Sequence, residues 1–187
     1  MAIGTQQAPN TGFIGLLRRY IADIIYGAND GIVTTFCVVA GVKGAKLAPL
    51  VIIILGVVNL LGDGVSMGAS SYLSARVSAA AKGVSGYSDP MLHGLVTFLA
   101  FIICGAVPLI SFVLMPDFSD HQFLISCILT ALTLFLVGSL RVFIVGRGWF
   151  KAGLEMLAVG GVAAMIAYGV GHILAQTLGE TYQGILN

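Results

Sequence analysis

The chain has 187 residues, of which 58% are apolar and only 9% are Asp, Glu, Lys or Arg, against a charged fraction of roughly a quarter in soluble domains. This composition excludes a soluble domain. The net charge of +1 argues against a nucleic-acid-binding protein, because phosphate binding needs a concentrated basic patch. Three separated cysteines, Cys37, Cys104 and Cys127, lie inside apolar stretches, and their spacing fits neither a metal knuckle nor a disulfide framework.

Five apolar segments follow a polar N-terminal tail that we assign to residues 1–19. A helix needs about 20 residues to cross a hydrocarbon core about 30 Å thick, and its backbone polar groups are satisfied within the segment. The short connectors leave no room for a second folded domain. We therefore predict an all-α polytopic membrane protein with one domain over 20–178, spans at 20–42, 47–75, 91–115, 122–146 and 152–178, and a C-terminal tail over 179–187.

The basic residues fall unevenly on the two sides of these predicted spans. Seven of the nine lie on the side of the N-terminus, and only Lys43 and Lys46 lie on the other. Because Lys and Arg are enriched in cytoplasmic loops, we predict a cytoplasmic N-terminus. Five crossings then place the C-terminus outside the cell or in a lumen.

Four charged residues lie within the predicted spans: Asp30, Asp63, Arg141 and Glu155. An ionisable group in a membrane helix costs several kcal/mol unless it is paired or solvated, so each is a functional candidate. Arg141 and Glu155 lie near the cytoplasmic ends of their helices, where they form either a structural pair or part of the ion access route. Asp30 and Asp63 lie near the midplane, with no basic residue at that depth.

Polar residues gather on one face of each of the first two helices at 100° per residue. The alternatives are a path through the membrane and a set of interhelical hydrogen bonds with two protonated aspartates. The first helix contributes Asp23, Gly27, Asp30, Thr34, Cys37 and Gly41, and the second contributes Asn59, Asp63, Ser66, Met67, Ser70 and Ser74.

The donor set of these faces indicates a divalent transition ion. Asp30 and Asp63 offer carboxylate oxygens, Asn59 an amide and Met67 a thioether, and sulfur favours softer ions than Mg²⁺ or Ca²⁺. A carboxylate in a membrane with no cation beside it holds a proton, which a metal ion displaces. Exchange of protons for metal follows from this chemistry.

Glycine is abundant, with 25 residues, and it lets membrane helices approach closely. Gly27 and Gly31 bracket Asp30, and we expect them either to pack against another helix or to shape the site. For the last span we expect tight helix packing at Gly153, Gly160, Gly161, Gly169 and Gly171.

Four segments resemble the vacuolar iron transporter family and occur in the family's order. They are YGANDGIVTTFCVVAG (26–41), NLLGDGVSMGASSYLSAR (59–76), FLAFIICGAVPLI (98–110) and GLEMLAVGGVAAMIAYGVG (153–171). The NDG and DGVSMG motifs are the most specific of these. The resemblance implies a five-helix protomer that works as a homodimer, with a metal path at the dimer interface and export of Fe²⁺, often also Mn²⁺, in exchange for protons.

The family's first-helix aspartate corresponds to Asp30 and its second-helix methionine to Met67. Asn59 stands where many members have a glutamate, and Asp63 supplies a carboxylate one turn later. Ser71 replaces a second frequent glutamate. The Glu-rich cytoplasmic domain that longer members carry between helices two and three is absent from residues 76–90. The chain therefore resembles the short, nodulin-like or bacterial branch.

Our leading hypothesis is thus a transporter and not an enzyme, with transported Fe²⁺ or Mn²⁺ and H⁺ as its ions and no tightly bound cofactor. We expect metal ligands at Asp30, Asp63, Met67 and Asn59, with Asp23, Thr34, Ser66, Ser70 and Ser74 lining the path. We expect the lipid bilayer, a second copy and a metal-delivering partner to contact the chain, in a bacterial plasma membrane rather than a vacuolar one. The alternative is a non-transporting accessory subunit of a larger membrane complex. His93, His121 and His172 are far apart in sequence, and we interpret them as interfacial or loop residues.

Overall fold

The computed structural model describes residues 13–82, 89–114, 120–142 and 148–186 of the chain. Within these ranges the secondary structure is helical and contains no strand. The helices are α1 (Phe13–Gly44), α2 (Pro49–Lys82), α3 (Pro90–Gly105), α4 (Val107–Leu114), α5 (Asp120–Leu140) and α6 (Trp149–Leu186).

The described helices have the length and composition of membrane spans. Four of them, α1, α2, α5 and α6, are each long and apolar enough to cross a bilayer, and α3 with α4 makes a fifth candidate that is bent by 43°. The chain is an integral membrane protein built from helices. The prediction of five crossings counts the bent pair as one span.

The span predicted over 91–115 is not one continuous helix, because α3 ends at Gly105 and α4 begins at Val107. Pro108 explains the break, since proline has no backbone N–H and its ring clashes with the carbonyl four residues earlier. The buried Ser126 hydroxyl of α5 donates a 2.7 Å hydrogen bond to the Pro108 carbonyl. This bond ties α4 to α5 directly after the bend.

Several helices extend beyond their predicted spans. α1 begins at Phe13 inside the predicted tail, α2 continues to Lys82, and α6 continues to Leu186. Charged residues mark where a helix leaves the apolar layer, but Arg and Lys are good helix formers and do not end the helix itself. The N-terminal residues 1–12 and the connection at 83–88 lie outside the described residues.

α3 begins with a well-formed cap. The Asp89 carboxylate accepts a 3.0 Å hydrogen bond from the Met91 N–H, and Pro90 follows at the first helical position. Both residues suit a helix start, because the cap satisfies a free N–H and proline has none to lose. The cap fixes where His93, one turn later, enters the bundle.

α1 is the central helix and packs against α2, α3, α5 and α6. A methyl group at Gly27 would lie 2.5 Å from the Thr97 carbonyl oxygen of α3, and one at Gly31 would clash with the Phe101 carbonyl. Farther along, Gly41 of α1 meets Gly171 of α6. The glycines beside Asp30 therefore serve close helix packing against α3.

The glycines of α6 divide into two groups. Gly153, Gly160 and Gly171 pack against α5 or α1, as predicted. The prediction is wrong for Gly161 and Gly169, since a methyl group at either would meet no described atom within 4 Å. Only 6% of the apolar window of α6 is buried, so most of this helix faces away from the bundle.

A four-residue turn joins α1 to α2. The N–H of Leu47 donates to the Val42 carbonyl at 3.2 Å, and the N–H of Lys46 donates to the Lys43 carbonyl at 3.0 Å. Lys46 has φ of 56°, so this is a helix ending in which the residue after the cap takes the left-handed conformation. The turn brings α1 and α2 back side by side.

Candidate metal path

Asp30 and Asp63 lie at the same level of the bundle. Asp30 is 14 residues before the end of α1, and Asp63 is 14 residues after the start of α2. Because the two helices are antiparallel and joined by a short turn, equal separations place these residues opposite each other. Their carboxyl groups are close enough to interact electrostatically, and neither has an ion-pair partner among the described residues.

The predicted face of α2 is largely open in the single chain. Asp63, Ser66, Ser70 and Ser74 are exposed, and Met67 is half-buried. The buried positions of α2, including Gly64 and Gly68, form a neighbouring stripe against α3. The polar face therefore lies beside the intramolecular contact and not within it.

Asn59 has a different environment from the serines. Its side chain is partly buried, and its amide nitrogen has no hydrogen-bond partner among the described residues. A buried amide without a partner costs free energy. Asn59 lies one helical turn from Asp63, so this donor is available to a ligand bound there.

Thr34 is one of the residues that we predict to line the path. Its hydroxyl donates a 2.8 Å hydrogen bond to the backbone carbonyl of Asp30. The side chain is thus directed along its own helix.

The described part of one chain does not contain a complete metal site. Within it, no group of three or more His, Cys, Asp or Glu residues is arranged to hold a metal ion. What one chain offers is two facing carboxylates, with the Met67 thioether and the Asn59 amide on the same face of α2.

A second polar cluster lies nearer the N-terminal end of α1 and is formed by four side chains from three helices. His93 of α3 approaches the Asp23 carboxylate of α1 at 2.6 Å between Nδ1 and Oδ2. The Ser71 hydroxyl of α2 donates to the other carboxylate oxygen at 3.4 Å, and the Thr97 hydroxyl lies 3.0 Å from Ser71 Oγ. We call Asp23, His93, Ser71 and Thr97 the histidine cluster.

The structure excludes the loop alternative for His93, while its interfacial position, one turn from the start of α3, stays a prediction. His93 is in α3, its side chain is 17% exposed, and its ring packs on Tyr20 with centroids 4.7 Å apart. Asp23, which we predicted as path-lining, is 20% exposed and uses its carboxylate for His93 and Ser71. The spacing of seven residues between Asp23 and Asp30, with a histidine one turn into an apolar segment, is the sequence signal for this cluster.

The structure does not bring Arg141 and Glu155 into contact. Glu155 is exposed, Arg141 is half-buried at the end of α5, and no ion pair joins them in the described ranges. The separation of Arg141 and Glu155 along the chain would allow neighbouring positions on α5 and α6, but the two side chains are not in contact.

The helices that carry these residues match a known protein family. A sequence model of the VIT family matches residues 21–84 and 79–172, which together include both polar helix faces and the histidine cluster. The chain belongs to the VIT family. The two matched parts meet at the end of α2, the position from which we predict that the inserted domain of longer members is absent.

Named relatives cover most of this VIT family chain. A protein called "Vacuolar iron transporter" from Toxoplasma gondii is 27% identical over 86% of this chain and 76% of its own length. One of the same name from Plasmodium berghei is 24% identical over 87% and 85%. "Vacuolar iron transporter 1" from Eucalyptus grandis is 20% identical over 80% and 84%. These relatives are named as transporters and not as enzymes.

Proposed function

We propose that this chain exports Fe²⁺, Mn²⁺ or both from the cytoplasm in exchange for protons, along a path lined by α1 and α2 at a homodimer interface. The observation that carries the proposal is the pair of facing carboxylates, Asp30 and Asp63, inside a membrane protein. Neither is neutralised by a basic residue among those described. The name of the relatives, vacuolar iron transporter, supports iron as the cargo.

The proposed cargo fits the donor atoms. Two adjacent carboxylates in a low-dielectric layer repel each other strongly when both are ionised. A divalent cation between Asp30 and Asp63 relieves this repulsion, and Met67 adds a soft sulfur donor that favours Fe²⁺ over Mg²⁺ or Ca²⁺. The unpartnered amide of Asn59 can donate to a water molecule held by the ion.

Proton exchange follows from the same pair. With no cation between them, Asp30 and Asp63 must hold at least one proton to avoid two adjacent negative charges in the membrane. A metal ion that binds the carboxylates displaces this proton. Metal and proton therefore occupy the pair alternately, which is the requirement for an exchanger.

The exposure of Asp63 supports a homodimer. In a single chain this carboxylate, with Ser66 and Ser70, would face lipid, where an unpaired ionisable group is costly. A second copy related by a two-fold axis along this face covers the polar residues and brings a second pair of carboxylates close by. The dimer supplies the further ligands that one chain lacks.

The proposed location is the plasma membrane of a bacterium, which rests on the likeness to short family members. The residues between α2 and α3 are too few for the metal-capturing domain of longer members. We propose that a separate metal-delivering partner provides this step.

The transport assay uses the purified protein in proteoliposomes that contain a pH-sensitive dye. We expect uptake of Fe²⁺, kept reduced by ascorbate, to make the dye-containing lumen more alkaline, because protons leave as metal enters and acidify the outer compartment that loses metal. Protein-free liposomes are the control. Transport that does not respond to a pH gradient would exclude proton exchange, and absence of uptake together with constant association with a larger complex would favour the accessory subunit.

Cysteine cross-linking tests the proposed interface. The three native cysteines are free and are first replaced by alanine. We expect Ser70→Cys to form a disulfide-linked dimer in oxidising conditions, because Ser70 lies within about 20° of Asp63 on the helical wheel. Val65→Cys is the matched control, since Val65 is also exposed but lies about 140° from Ser70. Equal cross-linking of both variants would contradict this interface.

A further inference from the structure

We propose that the histidine cluster is the site where the coupling proton is exchanged with the cytoplasm, with His93 as the proton-binding residue. This inference rests on the proposed function and deepens it, because it assigns proton exchange to a site distinct from the metal ligands. The geometry that points to it is the contact between His93 on α3 and Asp23 on α1, to which Ser71 of α2 also bonds.

The contact fixes which nitrogen of the imidazole can accept a proton. When Asp23 is ionised its carboxylate only accepts hydrogen bonds, and the donor to Asp23 Oδ2 is then His93 Nδ1–H. In neutral imidazole the other nitrogen, Nε2, then carries the lone pair. Proton uptake at Nε2 gives an imidazolium beside a carboxylate, and release returns this proton to water without breaking the bond to Asp23.

Histidine is suited to this step because its side chain ordinarily changes charge between pH 5 and 8. The side chain of His93 is 17% exposed, so the cluster is mostly enclosed but not sealed from water. It lies one helical turn after the Asp89 cap, at the end of the bundle that we predict to face the cytoplasm. An exchanger that exports metal must release its incoming protons on that side.

Asp23 is the charged residue whose contact with the imidazole the described part of the chain shows. On α2, Arg76 is directed toward Tyr72, whose hydroxyl it contacts at 3.1 Å. On α3, the Asp89 carboxylate is used by the helix cap. The titratable and charged residues within five positions of a cluster member along the chain are Arg18, Arg19, Tyr20 and Tyr26 on α1, Tyr72 and Arg76 on α2, and Asp89 before α3.

The cluster is near enough to the metal path for metal and proton to influence each other. Asp23 precedes Asp30 by seven residues on the same helix, a rise of about 10 Å. A divalent ion at Asp30 disfavours a second positive charge at His93, since charges at this distance in a poorly screened site interact appreciably. Metal binding thus favours release of the proton from Nε2.

Protonation of His93 also affects how tightly the three helices of the cluster are held together. Asp23 on α1 bonds Ser71 on α2 and His93 on α3, and the Thr97 hydroxyl lies 3.0 Å from Ser71 Oγ. Protonation of His93 strengthens its bond to Asp23, because charge-assisted hydrogen bonds are the stronger ones. The protonated state therefore holds α1 closer to α3.

The test is the pH profile of Fe²⁺ uptake by proteoliposomes carrying His93→Gln. Glutamine can still hydrogen-bond Asp23 but cannot titrate. Histidine is the side chain that ordinarily changes charge in this pH range, so its removal should remove the pH dependence that it supplies. We expect several-fold faster wild-type uptake at pH 7.5 than at 5.5, and a flat profile for the variant.

His172→Gln is the matched control, because His172 is a partly buried histidine on α6 away from the cluster, and we expect a wild-type profile. A second measurement counts protons released when Fe²⁺ binds the purified protein in weakly buffered detergent solution. We expect His93→Gln to release fewer than wild type. His93→Asn, shorter and also uncharged, provides a second variant if His93→Gln does not fold.

Two results would overturn the inference while leaving metal transport intact: a wild-type pH profile in a folded His93→Gln dimer, or unchanged proton release on Fe²⁺ binding. Loss of uptake at every pH in the folded variant would also overturn it, since His93 would then serve the metal path. No Fe²⁺ uptake by the wild-type protein at any pH would overturn the proposed function itself.

Discussion

Replacement of Asp30 by asparagine is expected to abolish Fe²⁺ transport. Asparagine keeps the size of the side chain but removes the negative charge that faces Asp63. Loss of an outer-shell partner typically costs 10–100-fold in metal affinity, so loss of a direct carboxylate ligand should reduce the uptake rate by at least about 100-fold. Proteoliposome uptake and the metal tolerance of a sensitive host expressing the variant both measure this.

Asp89→Asn is the matched control for this substitution. It makes the same chemical change at a carboxylate outside the path, and asparagine caps helices as well as aspartate does. We expect its uptake to equal that of the wild type. Near-normal transport by a folded Asp30→Asn dimer would remove Asp30 from the metal path and with it the central argument for the proposed function.

Substitution of Gly31 is expected to have the largest effect on stability. A side chain at this position would collide with the Phe101 backbone of α3, whose carbonyl carbon lies 3.0 Å from a methyl group built there. Backbone cannot move aside as a flexible side chain can, so α1 and α3 must separate. Overpacking of this kind costs about 1–3 kcal/mol, and we expect Gly31→Ala to lower the thermal unfolding temperature in detergent and Gly31→Leu to prevent folding.

Gly161→Ala provides the comparison. A methyl group at Gly161 meets no described atom within 4 Å, and alanine is favoured over glycine in helices by about 1 kcal/mol. We expect the unfolding temperature to stay the same or rise slightly. Equal destabilisation by Gly31→Ala and Gly161→Ala would indicate a general intolerance of α-helical substitutions and contradict the α1–α3 contact.

Membership of the VIT family and the helical membrane fold could be predicted from the sequence because both depend on local signals. Long apolar segments permit only a few folds in a bilayer, and the motifs around Asp30 and Met67 are contiguous. The common level of Asp30 and Asp63 in the bundle could also be predicted from the sequence, since a short turn between antiparallel helices determines which residues lie opposite each other.

The features that sequence reasoning missed depend on contacts between distant segments. The contact of His93 was missed because nothing in its own segment shows that Asp23, 70 positions earlier, lies 2.6 Å away. A structural pair was one of the two alternatives for Arg141 and Glu155, because opposite charges at one depth attract, but depth does not determine which way side chains point around a helix. The sequence contains the proline that explains the bend at Pro108, but we assigned this segment from its apolar composition, which does not show a bend.

The turn between α1 and α2 has a consequence for how the path can open. Four residues, held by hydrogen bonds to the end of α1, keep the two helices together at one end, so they can separate only at the other, as the arms of a pair of tweezers do. Asp23 and Ser71 lie about 30 Å from the turn along their helices. A relative tilt of about 10° would move them apart by about 5 Å, enough to break their contact. The hydrogen bonds among α1, α2 and α3 at that level must therefore break before the two helices can separate.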